Sequence, residues 1–108
     1  MSESNPYTDR TAHLSLVTIV VETILEQRLT RALRDLGVSG FTITAARGDG
    51  ARGFRTGDVE GGNIKIETIV PPDRAAQILA HVEEHYFENY AVIAWVSEVG
   101  VLRGDKYV

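Results

Sequence analysis

The 108-residue chain has no cysteine. That removes disulfide frameworks, cysteine-ligated zinc, iron–sulfur clusters and thiol redox switches, and it leads to the expectation of a reducing, cytoplasmic setting. Long hydrophobic runs are also missing. The longest apolar stretch near the start is residues 14–21, broken by Ser15 and Thr18, too short for a bilayer span and not built as a signal peptide. An excess of positive charge is absent too. Eleven Lys and Arg against fifteen Asp and Glu give a net charge of -4, which argues against a nucleic-acid binder working through a basic field. The length suits one domain. With 44% hydrophobic residues, such a chain should bury roughly two-thirds of its unfolded surface without a covalent staple.

What is abundant is glycine, and it is unevenly placed. Six of the ten glycines (Gly48, Gly50, Gly53, Gly57, Gly61 and Gly62) fall in one fifteen-residue window. Around that window the hydrophobic period is regular. Residues 1–12 lack periodicity and read as a flexible tail. Residues 14–21 are β-branched and apolar on both alternating faces, as a strand covered on two sides would be. Leu25, Leu29, Leu33 and Leu36 then recur at helical spacing, with Glu22, Glu26, Arg28, Arg31 and Arg34 opposite and Gly37 as the terminator. Residues 41–44 and 63–70 alternate as two further strands. Pro71, Pro72 and Asp73 stop the second of these and open a helix whose stripe is Ala75, Ile78, Leu79, Val82 and Tyr86. Residues 90–96 read as a fourth strand, with a short edge piece at 99–102.

Strand, helix, strand, strand, helix, strand is the split βαβ order of an α+β, ferredoxin-like domain over residues 13–108: an antiparallel sheet with both helices on one face. The other face should then be polar. Strands one and four are instead apolar on both sides, with Leu14, Leu16 and Val20 opposed to Val17, Ile19 and Val21, and Ile93 and Trp95 opposed to Val92, Ala94 and Val96. A second copy of the chain is the expected cover, so a homo-oligomer built through the open sheet face is predicted.

The window at about 47–62 is far longer than the two to five residues of an ordinary hairpin connection. Gly48, Gly50 and Gly53 satisfy G-x-G-x-x-G after a strand, but no helix opens at the last glycine, so the dinucleotide fingerprint is rejected. The physical content remains. Glycines let backbone N–H groups converge on an anion, and Arg47, Arg52 and Arg55 offer planar donors suited to phosphate. A solvated hairpin tip is the competing reading, because Asp49, Asp58 and Glu60 neutralise the three arginines.

Two other patterns are weaker. His81, Glu84 and His85 match H-x-x-E-H, but a third ligand is not supplied downstream, so a catalytic zinc site is not expected and an opportunistic surface site is the most that spacing offers. The aromatic group of Tyr86, Phe87, Tyr90 and Trp95 is better read as packing than as base stacking. No Ser, His and Asp arrangement implies a nucleophile, and no catalytic residue is assigned.

Several of these segments carry a family likeness together. Gly40-Phe41-Thr42-Ile43, the loop from Gly48 through Arg52 to Arg55, Asn63-Ile64-Lys65-Ile66-Glu67, Tyr86-Phe87-Glu88-Asn89-Tyr90-Ala91 and Val101-Leu102-Arg103-Gly104 resemble the PII-like signalling proteins, in the branch of SbtB and the carboxysome-associated PII proteins. The resemblance implies a homotrimer with a long T-loop between strands two and three. It implies adenine nucleotides (ADP, AMP, ATP or cAMP) in clefts between subunits, together with bicarbonate, and no cofactor or metal. Arg52 and Arg55 match the family's phosphate contacts. Ala51, where relatives often carry Ser, and Gly53 accompany them, and Tyr90, Ala91 and Val92 would lie near ribose and base. Arg47, Gly48, Asp49, Gly50, Phe54 and Thr56 would form the partner-binding part of the loop. Val92 stands where relatives often have Gly and would narrow the pocket. The cysteine-containing C-terminal motif of some relatives is missing. The implied role is non-enzymatic regulation of a bicarbonate transporter or of carboxysome-linked metabolism, in the cytoplasm and peripheral to the plasma membrane when bound to the transporter. A slow nucleotide hydrolase and a metal-responsive CutA-like trimer are the alternatives.

Overall fold

A computed structural model describes residues 10–48 and 62–103. Its elements are β1 (Ala12–Glu22), a single 3-10 turn (Thr23–Leu25), α1 (Glu26–Asp35), β2 (Thr42–Ala46), β3 (Asn63–Val70), α2 (Pro72–Tyr86) and β4 (Ile93–Val101). The strands form one antiparallel sheet in the order β2-β3-β1-β4. This is the expected split βαβ topology.

Alternate residues of a strand share a face, and register carries that face across the sheet. Val17 lies opposite Thr68 and Val96, and Ile19 opposite Ile66 and Ala94. Val17, Ile19, Val21, Ile64, Ile66 and Val70 meet Leu25, Leu29 and Leu33 on the α1 side and Ala75, Ile78, Val82 and Tyr86 of α2 in one buried cluster, with Ala94 packed against it; Val96, on the edge strand, stays exposed. Both helices thus supply apolar stripes to one face, as their spacing predicts.

The opposite face carries Leu16, Val20, Ile69, Ile93 and Trp95 by the same register. Ile93 is 48% and Trp95 45% exposed. The doubly apolar pattern is therefore real, and on this side the single chain leaves Ile93 and Trp95 of β4 exposed, while Leu14 and Thr18 of β1 are buried.

Three local details fix how the elements join. Gly37 takes φ +87° after α1, the left-handed conformation in which Cβ is penalised. A Cβ there would also run into the Arg74 guanidinium, which donates to the Leu36 carbonyl and ties the end of α1 to the first turn of α2. Pro71 caps α2 with extended backbone and Pro72 occupies its first position, where a missing N–H costs nothing.

Two expectations are corrected. The fourth strand begins at Ile93, after Tyr90, Ala91 and Val92, and runs unbroken to Val101, absorbing the edge piece expected at 99–102. The reason is that β1 is longer than its apolar core and pairs from Ala12 to Val20 with the whole of β4. Glu22, expected on the polar side of α1, is the last residue of β1 and is only 9% exposed. Helical spacing does not extend back across the 3-10 turn that separates the two elements.

Candidate functional site

The two ends of the long connection meet at the end of β1. Glu22 lies opposite Asn63 on β3, and Asn63 lies opposite Ala46 on β2. Arg47 and Gly48 leave the sheet there, both exposed. Gly62 returns the chain with φ +71°, and its carbonyl accepts the Thr23 N–H at 3.0 Å. The connection is therefore pinned at its base by sheet pairing and by this bond.

The segment between α2 and β4 is brought to the same place. Tyr90 N–H donates to the Tyr86 carbonyl at 3.0 Å, prolonging the helical turn past Tyr86. Ala91 N–H donates to Glu22 Oε1 at 3.3 Å in a buried setting. A buried carboxylate needs such a partner, because its desolvation is otherwise uncompensated. Glu22 therefore joins the base of the connection to residues 90–92.

An aromatic and cationic group supports this junction from the helix side. Arg28 Nη1 donates to Tyr90 Oη at 3.4 Å, and the guanidinium carbon lies 5.2 Å from the centre of the Tyr86 ring, within cation–π range. The Tyr86 and Tyr90 rings are tilted at 51° with centroids 5.9 Å apart. Burial pushes the Tyr86 phenol up from its ordinary value, and the nearby Arg28 charge opposes this in part. The phenol is neutral across the physiological range, so Arg28 faces a ring quadrupole rather than an anion.

Of the sequence-predicted nucleotide residues, Tyr90, Ala91 and Val92 are thus gathered at the loop base. Tyr90 is half-buried and bonded to Arg28. Ala91 presents its backbone N–H to Glu22, and the Val92 side chain belongs to the hydrophobic cluster. Arg47 and Gly48 stand at the mouth of the connection. Ala51, Arg52, Gly53 and Arg55, with Asp49, Gly50, Phe54 and Thr56, lie outside the described residues. Sequence reasoning misses Glu22 and the site position of Arg28. A carboxylate at the very end of a doubly apolar strand is the available signal for Glu22. For Arg28, an ordinary residue on a charged helix face, there is none.

Among the described residues no helix is long and apolar enough to cross a membrane. No group of three or more His, Cys, Asp or Glu there could hold a metal ion.

Comparison with known proteins agrees with this architecture. The family model for nitrogen regulatory protein P-II matches residues 14–106. A protein from Thermus thermophilus assigned to the PII-like signalling proteins is 49% identical. Its alignment covers 91% of this chain and 98% of that one, with a TM-score of 0.79. CPII from Thiomonas intermedia, a nitrogen regulatory PII-like protein, superposes with a TM-score of 0.81 in a structure bound to ADP and bicarbonate. That alignment is 25% identical and covers 91% of this chain and 97% of CPII. The same protein bound to ADP, AMP and bicarbonate gives 0.81 at 24% identity, over 90% and 95% of the two chains. The matched span takes in every element of the sheet and both helices, and the chain belongs to the nitrogen regulatory P-II family, among its PII-like signalling members.

Proposed function

We propose that this chain is a sensor that binds an adenine nucleotide at the base of its long connection, together with bicarbonate, in clefts between the subunits of a homotrimer. The observation that carries this reading is the convergence at Glu22 of both ends of the connection with residues 90–92. A ligand seated there touches the loop base and the backbone before β4 at once, so its binding energy is available to select one loop conformation. A connection with six glycines has much conformational entropy to lose, and ligand contacts are what would hold one shape.

Arg52 and Arg55 are the phosphate donors in this reading, with Ala51 and Gly53 allowing close backbone approach. Tyr90, Ala91 and Val92 border ribose and base. Arg47, Gly48, Asp49, Gly50, Phe54 and Thr56 present the changed surface to a partner. The regulated target would be a bicarbonate transporter or another component of inorganic-carbon metabolism, met in the cytoplasm at the membrane face. Support for the ligand class comes from CPII, whose structures hold ADP and bicarbonate. Support for assembly comes from the exposed Ile93 and Trp95 on the open sheet face, which a second subunit would cover.

The testing experiment is calorimetric titration of the wild type and an Arg52→Ala/Arg55→Ala variant with ADP, alongside light scattering of both. The reading expects a trimer in each case and nucleotide affinity lost in the variant. Unchanged affinity in the variant refutes the arginine assignment, and a monomeric wild type refutes the intersubunit cleft.

A further inference from the structure

The H-x-x-E-H segment of α2 is not used by the nucleotide site proposed above. His81 and His85 stand one turn apart, His81 half-buried and His85 exposed. Their rings are stacked, with centroids 4.2 Å apart and planes inclined by 24°. Two imidazole nitrogens bound to one ion at about 2.0–2.1 Å lie about 3 Å from each other. Rings stacked at 4.2 Å hold the two imidazoles within reach of one ion.

The hydrogen bonding of His85 also suits a ligand role. His85 Nδ1 lies 3.0 Å from the His81 carbonyl oxygen. A carbonyl only accepts, so this bond places a proton on Nδ1 and, in the neutral ring, leaves the lone pair on Nε2. A backbone carbonyl fixing the tautomer of a metal-binding histidine is the usual outer-sphere arrangement.

We propose that His81 and His85 form a bidentate chelate for a divalent transition ion of the nickel, copper or zinc type, with water completing the coordination. Imidazole is a good donor to these metals, whereas calcium and magnesium demand oxygen ligands. Glu84, next to His85 in sequence, adds negative charge that favours a cation. With two protein ligands the site is an open surface chelate and not an enclosed structural or catalytic centre. Its place in the fold gives it a consequence. The His81 ring lies 6.0 Å from Tyr86, and Tyr86 holds Arg28 and leads to Tyr90. An ion clamping residues 81 and 85 together stiffens the last turn of α2, directly before the segment that Glu22 holds.

The test is calorimetric titration of the untagged full chain with nickel chloride at neutral pH, with thermal unfolding followed at each nickel concentration. His81→Ala, His85→Ala and a His13→Ala control are compared. The expected result is one nickel ion per chain and a rise in melting temperature with nickel. Either α2 variant should lose at least the roughly 10–100-fold in affinity that removal of even an outer partner costs a metal site, while His13→Ala keeps the wild-type value. Circular dichroism of each variant without metal checks that the exposed face tolerates the change. Wild-type affinity in His81→Ala or His85→Ala overturns the proposal, as does loss of binding in His13→Ala or absence of nickel binding to the wild type.

Discussion

Glu22→Ala perturbs the contact on which the loop base depends. In the wild type the carboxylate is nearly buried and accepts the Ala91 N–H at 3.3 Å. Removing it leaves that N–H in a buried position without its acceptor. Hydrogen bonds to charged groups contribute roughly 1.5–3 kcal/mol, and orphaning a buried donor costs roughly 1–3 kcal/mol. The distance is slightly longer than the usual N–H to O range, so the low end applies and a loss of about 1.5 kcal/mol is expected. Glu22→Gln keeps an oxygen acceptor but removes the charge, and about half that loss is expected. Urea unfolding at a fixed protein concentration measures both, the concentration being held because assembly adds to apparent stability. Amide exchange supplies a local check, since Ala91 should lose protection in Glu22→Ala while the centre of β1 keeps it. A Glu22→Ala variant within about 0.5 kcal/mol of wild type, the range of an ordinary surface change, would refute the view that Glu22 braces the loop base.

Gly37→Ala forces a Cβ into a φ of +87° and against Arg74, so a loss of at least about 1 kcal/mol is expected in urea unfolding. Trp95→Glu places a charge on the open sheet face and should shift light scattering toward monomer while circular dichroism stays native. A fully assembled Trp95→Glu protein would contradict that interface. His81 should titrate below 6.5 by NMR because burial disfavours its charged form. The unfolded chain then binds the proton more readily, so His81 adds stability above its unfolded pKa that is lost as pH falls through the folded value. A His81→Gln variant should be correspondingly less sensitive to acid in that window.

The topology was legible because its signals are periodic and local. The 3.6-residue stripes of Leu29 and Leu33 and of Ile78 and Val82 specify buried helix faces. The switch to alternation at Asn63 marks β3, and Pro71 with Pro72 marks the start of α2. The apolar second face of the sheet was legible for the same reason, since strands show both sides of their pattern. Boundaries that depend on pairing were not. The full length of β4 follows from what β1 offers as a partner, and no property of residues 97–101 taken alone announces it.

The site was legible only through glycine and arginine chemistry and through resemblance. Glu22 shows why the rest was hidden. Its role arises from a contact with Ala91, 69 residues away in sequence, and on helical spacing it looks like one more charge on a polar face. Arg28 likewise acts through Tyr90, 62 residues distant. Contacts of that separation are set by the sheet order β2-β3-β1-β4, which brings the ends of β1 and β3 and the approach to β4 together.

The proposed sensor reads an adenine nucleotide at the loop base, with bicarbonate as co-ligand. Titrating the wild-type chain with ADP, in the presence and absence of bicarbonate, measures this most directly. One ADP per chain is expected, with tighter binding when bicarbonate is present. Heat of dilution alone under both conditions would contradict it.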